Sequence, residues 1–503
     1  MITIEPGNVR TQVFFDGRQS KKALLKILEL SMKVDAPGGK YLYAYKSGQW
    51  DGKAQLWDEC SDADAAAGAL WIRTGLVPRL VSMLEIDKVE WRVGADMREI
   101  NAPKHFKMTQ VPLRPYQRDA MLTALTNGGG DPFGWWPRGG LEVATGGGKT
   151  EIAVAMYETN PVPTFFLVHR KNLLRQAAER FKKYGHDVGI IGDGKFKPQA
   201  NINIATMQTL YKIFLDSESS RAGIVAALIA DCEQVFFDEC HLMASTIDKG
   251  NTFVAVADQF HAACRWGLTA TPFMRAQYDN LLLEGVTGTS LYKIGYPELV
   301  SLGFLTPIRV LVKHVPGTLG LKLDWKQGRG NKARAAHWRE IQLHGVKTHL
   351  RRTELIIDEI EKGPWPLIVL SNTVEQAEYI QNRYSARGLG DLPLISGKDS
   401  TDDRVAAIRA LEDGSLAALI ATTIFDEGID IPELRKLIFA SGGKSAVKMV
   451  QRPGRGSRLA DGKEETVIID FNDKHDKKLN EHFKEREQVY EEQGFEVQYE
   501  AVQ

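Results

Sequence analysis

Cysteine is scarce: 503 residues hold four, Cys60, Cys232, Cys240 and Cys264, with no C-x-x-C pair among them. That excludes a disulfide framework and a zinc ribbon, and usage this sparse suits a reducing cytosol. Charge of one sign is lacking too. Lys plus Arg and Asp plus Glu each number 64, so the formal net charge is zero. A globally basic nucleic-acid binder is excluded, and any such site has to be local. Long hydrophobic runs are missing. The longest apolar stretch, 222–230, is too short to span a bilayer and reads as a core helix. The opening MITIEPGNVRTQVFFDG has no basic start followed by an apolar stretch, so no signal peptide is expected. No repeat of about 20–50 residues is visible, which argues against a solenoid or propeller. What remains is an ordinary globular composition, long enough for about three domains, expected in a cytoplasm and away from membranes.

Residues 1–105 mix short apolar runs with aromatics and turn glycines, as a small α+β domain would. From 106 to 305 short β-rich runs (141–144, 164–168, 201–205, 235–238, 265–269) alternate with amphipathic helical stretches. The rhythm resumes over 346–503, with strands expected at 367–370, 416–421, 436–440 and 466–470. Strands alternating with helices imply βαβ units and parallel sheets covered on both faces. Two α/β lobes in series are therefore expected. Between them, 306–345 reads as a basic linker or insertion. From 321 onward Lys322, Lys326, Arg329, Lys332, Arg334, Arg339 and, just past the segment, Lys347 face only Asp324 and Glu340. This is either a solvated linker or a strip of positive potential against DNA phosphates, helped by Trp325 and Trp338. The tail HFKEREQVYEEQGFEVQYE reads as a surface helix plus strand.

EVATGGGKTEIAVAMYE carries the most chemistry: an apolar strand, a glycine-rich turn, then an amphipathic helix. Gly146, Gly147 and Gly148 let backbone N–H groups wrap a phosphate without Cβ clashes, Thr145 joins them as a nucleotide contact at the start of the loop, and the helix N-terminus adds attraction. Lys149 can reach the β- and γ-phosphates of ATP, and the Thr150 hydroxyl can hold Mg²⁺. Val143 stands where the general pattern has glycine, six residues before the lysine. Downstream, QVFFDECH sets two carboxylates at the end of an apolar strand. Asp238 would hold the Mg²⁺, and Glu239 would orient and deprotonate the attacking water. FASGGKSAV imitates the phosphate loop, but Ile438 still lies within the strand and the loop before Lys444 is too short. It reads as a turn.

With these residues in hand, the sequence resembles the superfamily 2 helicases, with motifs in the family's order across about 115–460. LRPYQRDA resembles the adenine-reading Q motif, with Gln117 as its amide, and TGGGKT resembles motif I. LVHRKNLLRQ, IATMQTL, DECH and TATP resemble motifs Ia, Ic, II and III. VLSNTVEQAEYI, ATTIFDEGIDIP and QRPGRGSR resemble motifs IV, V and VI. The resemblance implies two RecA-like lobes with ATP between them. Gln451 would face the cleft and Arg455 and Arg458 would reach the γ-phosphate, with Gly428 and Asp430 also on the nucleotide. It implies His241, Thr269 and Thr271 as coupling residues. It also implies nucleic-acid contacts at His169, Arg170, Thr206, Gln208, Ser371, Asn372, Ser396, Thr422 and Thr423. Hydroxyls, amides and N–H groups of this kind suit phosphate oxygens and carry no sequence code. Taken singly, each is as well explained as a cap or turn former.

The first hundred residues sharpen the resemblance. KYLYAYKSGQWDGKAQLWDE followed by IRTGLVPRLVSML is similar to the N-terminal DNA-binding domain of the UvsW-like phage helicases. Gly48, Trp50, Asp51 and Gly52 carry the shared turn, in which Trp50 either covers a small core or stacks on a base. The family implies an ATP-dependent DNA helicase that unwinds or branch-migrates forks, junctions and hybrids in recombination, repair or replication restart. Single-stranded, forked or branched DNA, RNA–DNA hybrids and a single-strand-binding protein would be its partners, in the host cytoplasm if phage-encoded. An RNA helicase and an ATP-gated clamp that does not unwind are the rival readings. A restriction-type translocase would need a nuclease, and no PD-(D/E)xK motif is found. The segment TNGGGDPFGWWPRGG, with Trp135 and Trp136, is either a hairpin near the adenine or DNA, or a hydrophobic turn.

Overall fold

The computed structural model describes residues 1–36, 39–41, 43–59, 68–98, 107–126, 133–216, 219–241, 252–270, 277–321, 331–422, 431–442 and 458–500. The chain divides into two compact units. One comprises Met1–Val143 and Gly148–Ile294, the other Ala144–Gly147 and Gly295–Gln503. Among the described residues no helix is long and apolar enough to cross a membrane.

The first unit opens with a five-stranded sheet in the order Trp57–Glu59, Ala69–Arg73, Arg10–Phe15, Ile2–Glu5, Trp91–Val93. Ile2, Ile4, Val13, Leu70 and Ile72 point to one face at period two. Helices Gly17–Met32 and Val77–Ile86 cover it with Leu24, Ile27, Leu28, Leu80 and Leu84, spaced three or four apart. This is the small α+β domain that the pattern predicts.

The remainder of the unit is built on an eight-stranded sheet. Its order is Lys195–Lys197, Gly189–Gly192, Ile202–Thr206, Thr164–Val168, Gln234–Asp238, Cys264–Thr269, Arg138–Val143, Ser290–Ile294. All neighbours run parallel except the Gly189–Gly192 and Lys195–Lys197 hairpin. Strands such as TFFLV and INIAT are buried at every position, because helices cover both faces. From Arg138–Val143 the chain passes through helix Lys149–Thr159 to Thr164–Val168, leaving room between for Gln234–Asp238 and Cys264–Thr269. Ligands of open parallel sheets bind beyond the carboxyl ends, where the order reverses like this. The register Asp238↔Leu268 and Thr269↔Glu142 brings those carboxyl ends to one edge. The 222–230 run departs from expectation. Helix Ser220–Ala230 buries only Val225 and Ile229, because alanines tolerate a half-exposed helix that hydropathy alone reads as core.

The α+β domain is fused to this sheet. Arg73 holds Asp258 with two hydrogen bonds (2.5 and 2.9 Å), and Arg79 holds Glu284 at 2.6–3.2 Å. Gly75 lies on the backbone of 284–285, where a Cβ would fall 2.0 Å from Glu284 O. Phe133, Trp136 and Leu281 join the domain's own core. Trp136 is 2% exposed, beneath the Arg98 and Arg138 guanidinium groups, and Trp135 Nε1 donates to Leu125 O at 2.9 Å. The tryptophan pair is therefore a hydrophobic turn, and not a hairpin toward DNA.

The second unit carries an all-parallel sheet. Its order is Leu394–Ile395, Ala418–Ala421, Leu367–Leu370, Lys436–Phe439, Thr466–Asn472, Ile308–His314, Glu496–Tyr499. The two parallel sheets are two RecA-like lobes. Two parts differ from the sequence reading. Ile308–His314, assigned to a linker, is an interior strand of this sheet, with Ile308, Val310 and Val312 buried. Its charged Arg309 and Lys313 disguised it. Part of the linker is helix Asn331–Gln342, whose Trp338 packs edge-on to His482 at 4.9 Å, so this ring is taken by packing. Arg334 and Arg339 are exposed, while Lys322, Trp325, Lys326 and Arg329 lie outside the described residues. The tail is more than a surface element. In helix Lys477–Glu492, Leu479, His482, Phe483, Arg486 and Tyr490 are buried behind an acidic outer face. Arg486 pairs with Asp470 at 2.8 Å, both wholly buried, and Tyr490 donates to the same carboxylate at 2.7 Å.

Candidate active site

The phosphate loop follows from the backbone its glycines permit. Val143 is the last strand residue and fully buried, so the turn proper is 144–148. Gly147 N donates to Ala144 O at 2.9 Å, and Gly146 and Gly148 sit at φ 83° and 80°. At Gly148 a side chain is doubly excluded. The φ is left-handed, and a Cβ would fall 2.3 Å from Gln117 Nε2. Gln117 is 4% exposed, and its Oε1 accepts from Arg114 N at 2.9 Å. The glutamine expected at a purine is thus seated against the phosphate loop. Helix Lys149–Thr159 begins immediately, with Lys149 and Thr150 half-buried.

Strand Gln234–Asp238 buries Val235, Phe236 and Phe237 and delivers Asp238 and Glu239, both half-buried, to the same sheet edge. Glu239 adopts φ 51°, uncommon for a residue with a Cβ. Its Oε1 lies 3.7 Å from Lys149 Nζ and its Oε2 3.3 Å from His241 Nδ1. That ring nitrogen is also 2.9 Å from Thr269 Oγ1. One chain of polar contacts therefore runs from the lysine through the acid and the histidine to the end of strand Cys264–Thr269. Cys240, between them in sequence, points into the core. Burial, then the neighbouring carboxylates of Glu239 and Asp238, push its thiol above the ordinary range. It is inert packing.

The other expected residues fall into two groups. Arg170, Gln208 and Asn372 are exposed and His169 is half-buried. Gln208 Nε2 donates to His169 O at 2.8 Å, tying two of these segments together. Thr206, Ser371, Ser396 and Thr422 are buried. Thr206 donates to Thr209 at 2.7 Å, Ser371 to Gln376 at 3.0 Å, and Ser396 to Asp399 at 2.9 Å. Those hydroxyls hold the turns from which exposed neighbours project. Arg458 is half-buried, and its carbonyl accepts from Thr306 Oγ1 at 3.1 Å. Thr271, Thr423, Gly428, Asp430, Gln451 and Arg455 lie outside the described residues.

Sequence reasoning missed a supporting layer. Glu151, in the first turn after Lys149, pairs with Arg180 at 2.9 Å. Glu158, at the far end of that helix, accepts from Thr109 Oγ1 at 2.6 Å and Gln110 N at 2.7 Å, with His186 Nε2 3.0 Å away. These contacts pin the segment leading to Gln117 onto the phosphate-loop helix. No motif announces them.

A glycine loop entering a helix, a lysine, and an acid on the next strand but one define a nucleoside-triphosphate-hydrolysing parallel-sheet protein. The chain matches the family "Type III restriction enzyme, res subunit" over residues 110–274 and "Helicase conserved C-terminal domain" over 351–460. It belongs to the superfamily 2 helicases, the ATP-dependent helicases and translocases. It is 26% identical over 347 residues to a viral protein assigned as a helicase, number 22 of Sulfolobus islandicus filamentous virus. That match spans 67% of this chain and 60% of the viral one. It is 26% identical to the DNA 3′-5′ translocase XPB2 of Sulfurisphaera tokodaii, over 72% of this chain and 82% of that one. The crystal structure of phage T4 UvsW aligns with 100% of this chain and 99% of its own, at 17% identity and a TM-score of 0.43.

Proposed function

We propose that this protein is a DNA helicase or translocase that unwinds or branch-migrates forked, junction and hybrid substrates during recombination, repair or replication restart. The observation that carries the reading is the contact chain Lys149–Glu239–His241–Thr269 at the carboxyl edge of the first lobe. Lys149 holds the β- and γ-phosphates. Glu239 orients a water and takes its proton as the water's oxygen bonds to the γ-phosphorus, and ADP leaves. Thr150 and Asp238 fit as holders of a Mg²⁺, which when bound neutralises phosphate charge. Arg455 and Arg458 are the cations that neutralise further charge on the γ-phosphate, and Gln451 is the uncharged amide of the same motif. His241 and Thr269 pass the state of the acid to the end of a neighbouring strand, and thence to a nucleic-acid track that includes Arg170, Gln208 and Asn372. The likeness to the DNA 3′-5′ translocase of Sulfurisphaera tokodaii supports DNA as the polymer.

The deciding experiment offers single-strand, fork, four-way junction and RNA–DNA hybrid substrates with ATP. Conversion of forks and junctions is expected. Unwinding confined to RNA duplexes would move the protein to the RNA helicases, since 2′-hydroxyl recognition separates the two. ATP-gated nucleic-acid binding with neither ATP turnover nor strand displacement would leave only a clamp.

A further inference from the structure

The α+β domain displays an aromatic ring that its own core does not use. Strands Lys33–Asp35 and Lys53–Gln55 pair antiparallel, and the chain between them makes an excursion through the short helix Tyr43–Lys46. Tyr43 is 80% exposed and Tyr45 38%. A tyrosine this exposed offers a free planar face on which a base can stack.

The excursion is built to hold those rings. Trp50 donates its Nε1–H to Lys53 O at 2.9 Å, and its ring lies where a Cβ on Gly39 would come within 2.9 Å. The Tyr45 ring lies on Gly52, at φ 77°, where a Cβ would come within 2.8 Å. The two glycines therefore make seats for two rings, which fixes Trp50 as packing and accounts for the W-D-G turn. Trp50 N donates to Ala44 O and Ser47 N to Tyr43 O, so the segment bearing Tyr43 is tied down while its ring stays outside. The charge around it is positive. Across 33–53 four lysines stand against two aspartates. Lys33 is satisfied by Asp51 at 2.9 Å and Lys40 reaches Asp35 at 3.7 Å, while Lys46 and Lys53 are exposed. Leu56, just beyond the hairpin, packs against the core cluster that also takes in Leu281 of the first lobe, so the ridge is anchored to the ATP-binding body.

We infer that this ridge, with Tyr43 at its crest and Lys46 and Lys53 beside it, stacks on unpaired nucleobases of a branched nucleic acid while the lysines take the adjoining phosphates. The inference rests on the proposed function and deepens it, by giving the first domain a ligand class: single-stranded arms next to a junction. Stacking on a free base is sequence-tolerant, and a base pair inside a duplex offers no open face.

The test is binding of the full-length protein, without nucleotide, to a fork with a single-stranded arm and to a blunt duplex of equal length. Tyr43→Ala is expected to bind the fork about tenfold more weakly, with duplex binding unchanged. Tyr43→Trp is expected to restore the fork affinity. Lys46→Ala with Lys53→Ala should weaken fork binding and reduce its salt slope by about one per lost phosphate contact. Tyr43 is solvent-exposed, so an unchanged melting temperature of Tyr43→Ala checks that the fold is intact. Wild-type fork affinity in Tyr43→Ala, or equal weakening on fork and duplex, overturns the ridge while leaving the helicase reading in place. Failure of the wild-type chain to bind any nucleic acid overturns both.

Discussion

Lys149, Glu239, His241 and Thr269 come from three separate stretches of sequence and meet within 3.7 Å of one another in succession. Each has a distinct task, so their substitutions should fail differently. Lys149→Ala is expected to abolish nucleotide binding or turnover, measured by nucleotide titration and phosphate release. Glu239→Gln should still bind ATP but hydrolyse it at least ~100-fold more slowly, as loss of a positioned base predicts. Turnover equal to wild type would remove Glu239 from that role. Thr269→Ala cuts the chain beyond the acid, so ATP hydrolysis should persist within a few-fold while strand displacement falls much further. Equal losses in both assays would make Thr269 merely structural. These four residues were legible because motif spacing and a strand–turn–helix pattern announce them. The hydroxyls of Thr206, Ser371 and Ser396 were legible only as positions. Whether a small polar group faces a phosphate or its own turn is decided by three-dimensional burial, which sequence does not encode locally.

Among the elements, strands with continuous apolar runs were read correctly, whereas the alanine-rich run 222–230 was taken for core and two elements that carry charge were misplaced. Ile308–His314 contains Lys313, and Lys477–Glu492 contains Arg486, both buried with an acid partner on another element. Glu359 of helix Leu350–Lys362 shows the energetics. Burial by itself would raise its pKa, but the ammonium groups of Lys313, Lys436 and Lys362 outweigh this and hold it at about 2, against an ordinary 4.5. A depressed carboxylate adds stability that is complete above the unfolded value and fades as pH falls from about 4.5 toward about 2. The contribution is of order 3 kcal/mol at neutral pH. Glu359→Gln should therefore melt well below wild type at neutral pH, with the gap narrowing steadily as the solution is acidified below pH ~4.5. A gap of constant size across that range would show that the carboxylate's charge is not what stabilises the second lobe.

At the scale of the molecule, the α+β domain and the first lobe share core residues, two arginine–carboxylate pairs and a backbone contact at Gly75. A domain held in this way moves with the ATP-binding lobe and does not swing on a linker. Gly75→Ala, whose Cβ meets backbone carbonyls, is expected to loosen the junction, so that amide exchange quickens in helices Val77–Ile86 and Gln277–Thr287 together. Unchanged exchange in both would mean that the seam depends on other contacts. The fusion gives the proposed motor its logic, since chemistry at Glu239 is then done by the same body that carries the first domain to a junction. The most direct test of that logic is ATP turnover of the full-length protein with and without a forked DNA. Turnover should rise several-fold on the fork in wild type and stay near zero in Glu239→Gln. A wild-type rate indifferent to every nucleic acid offered would contradict the account.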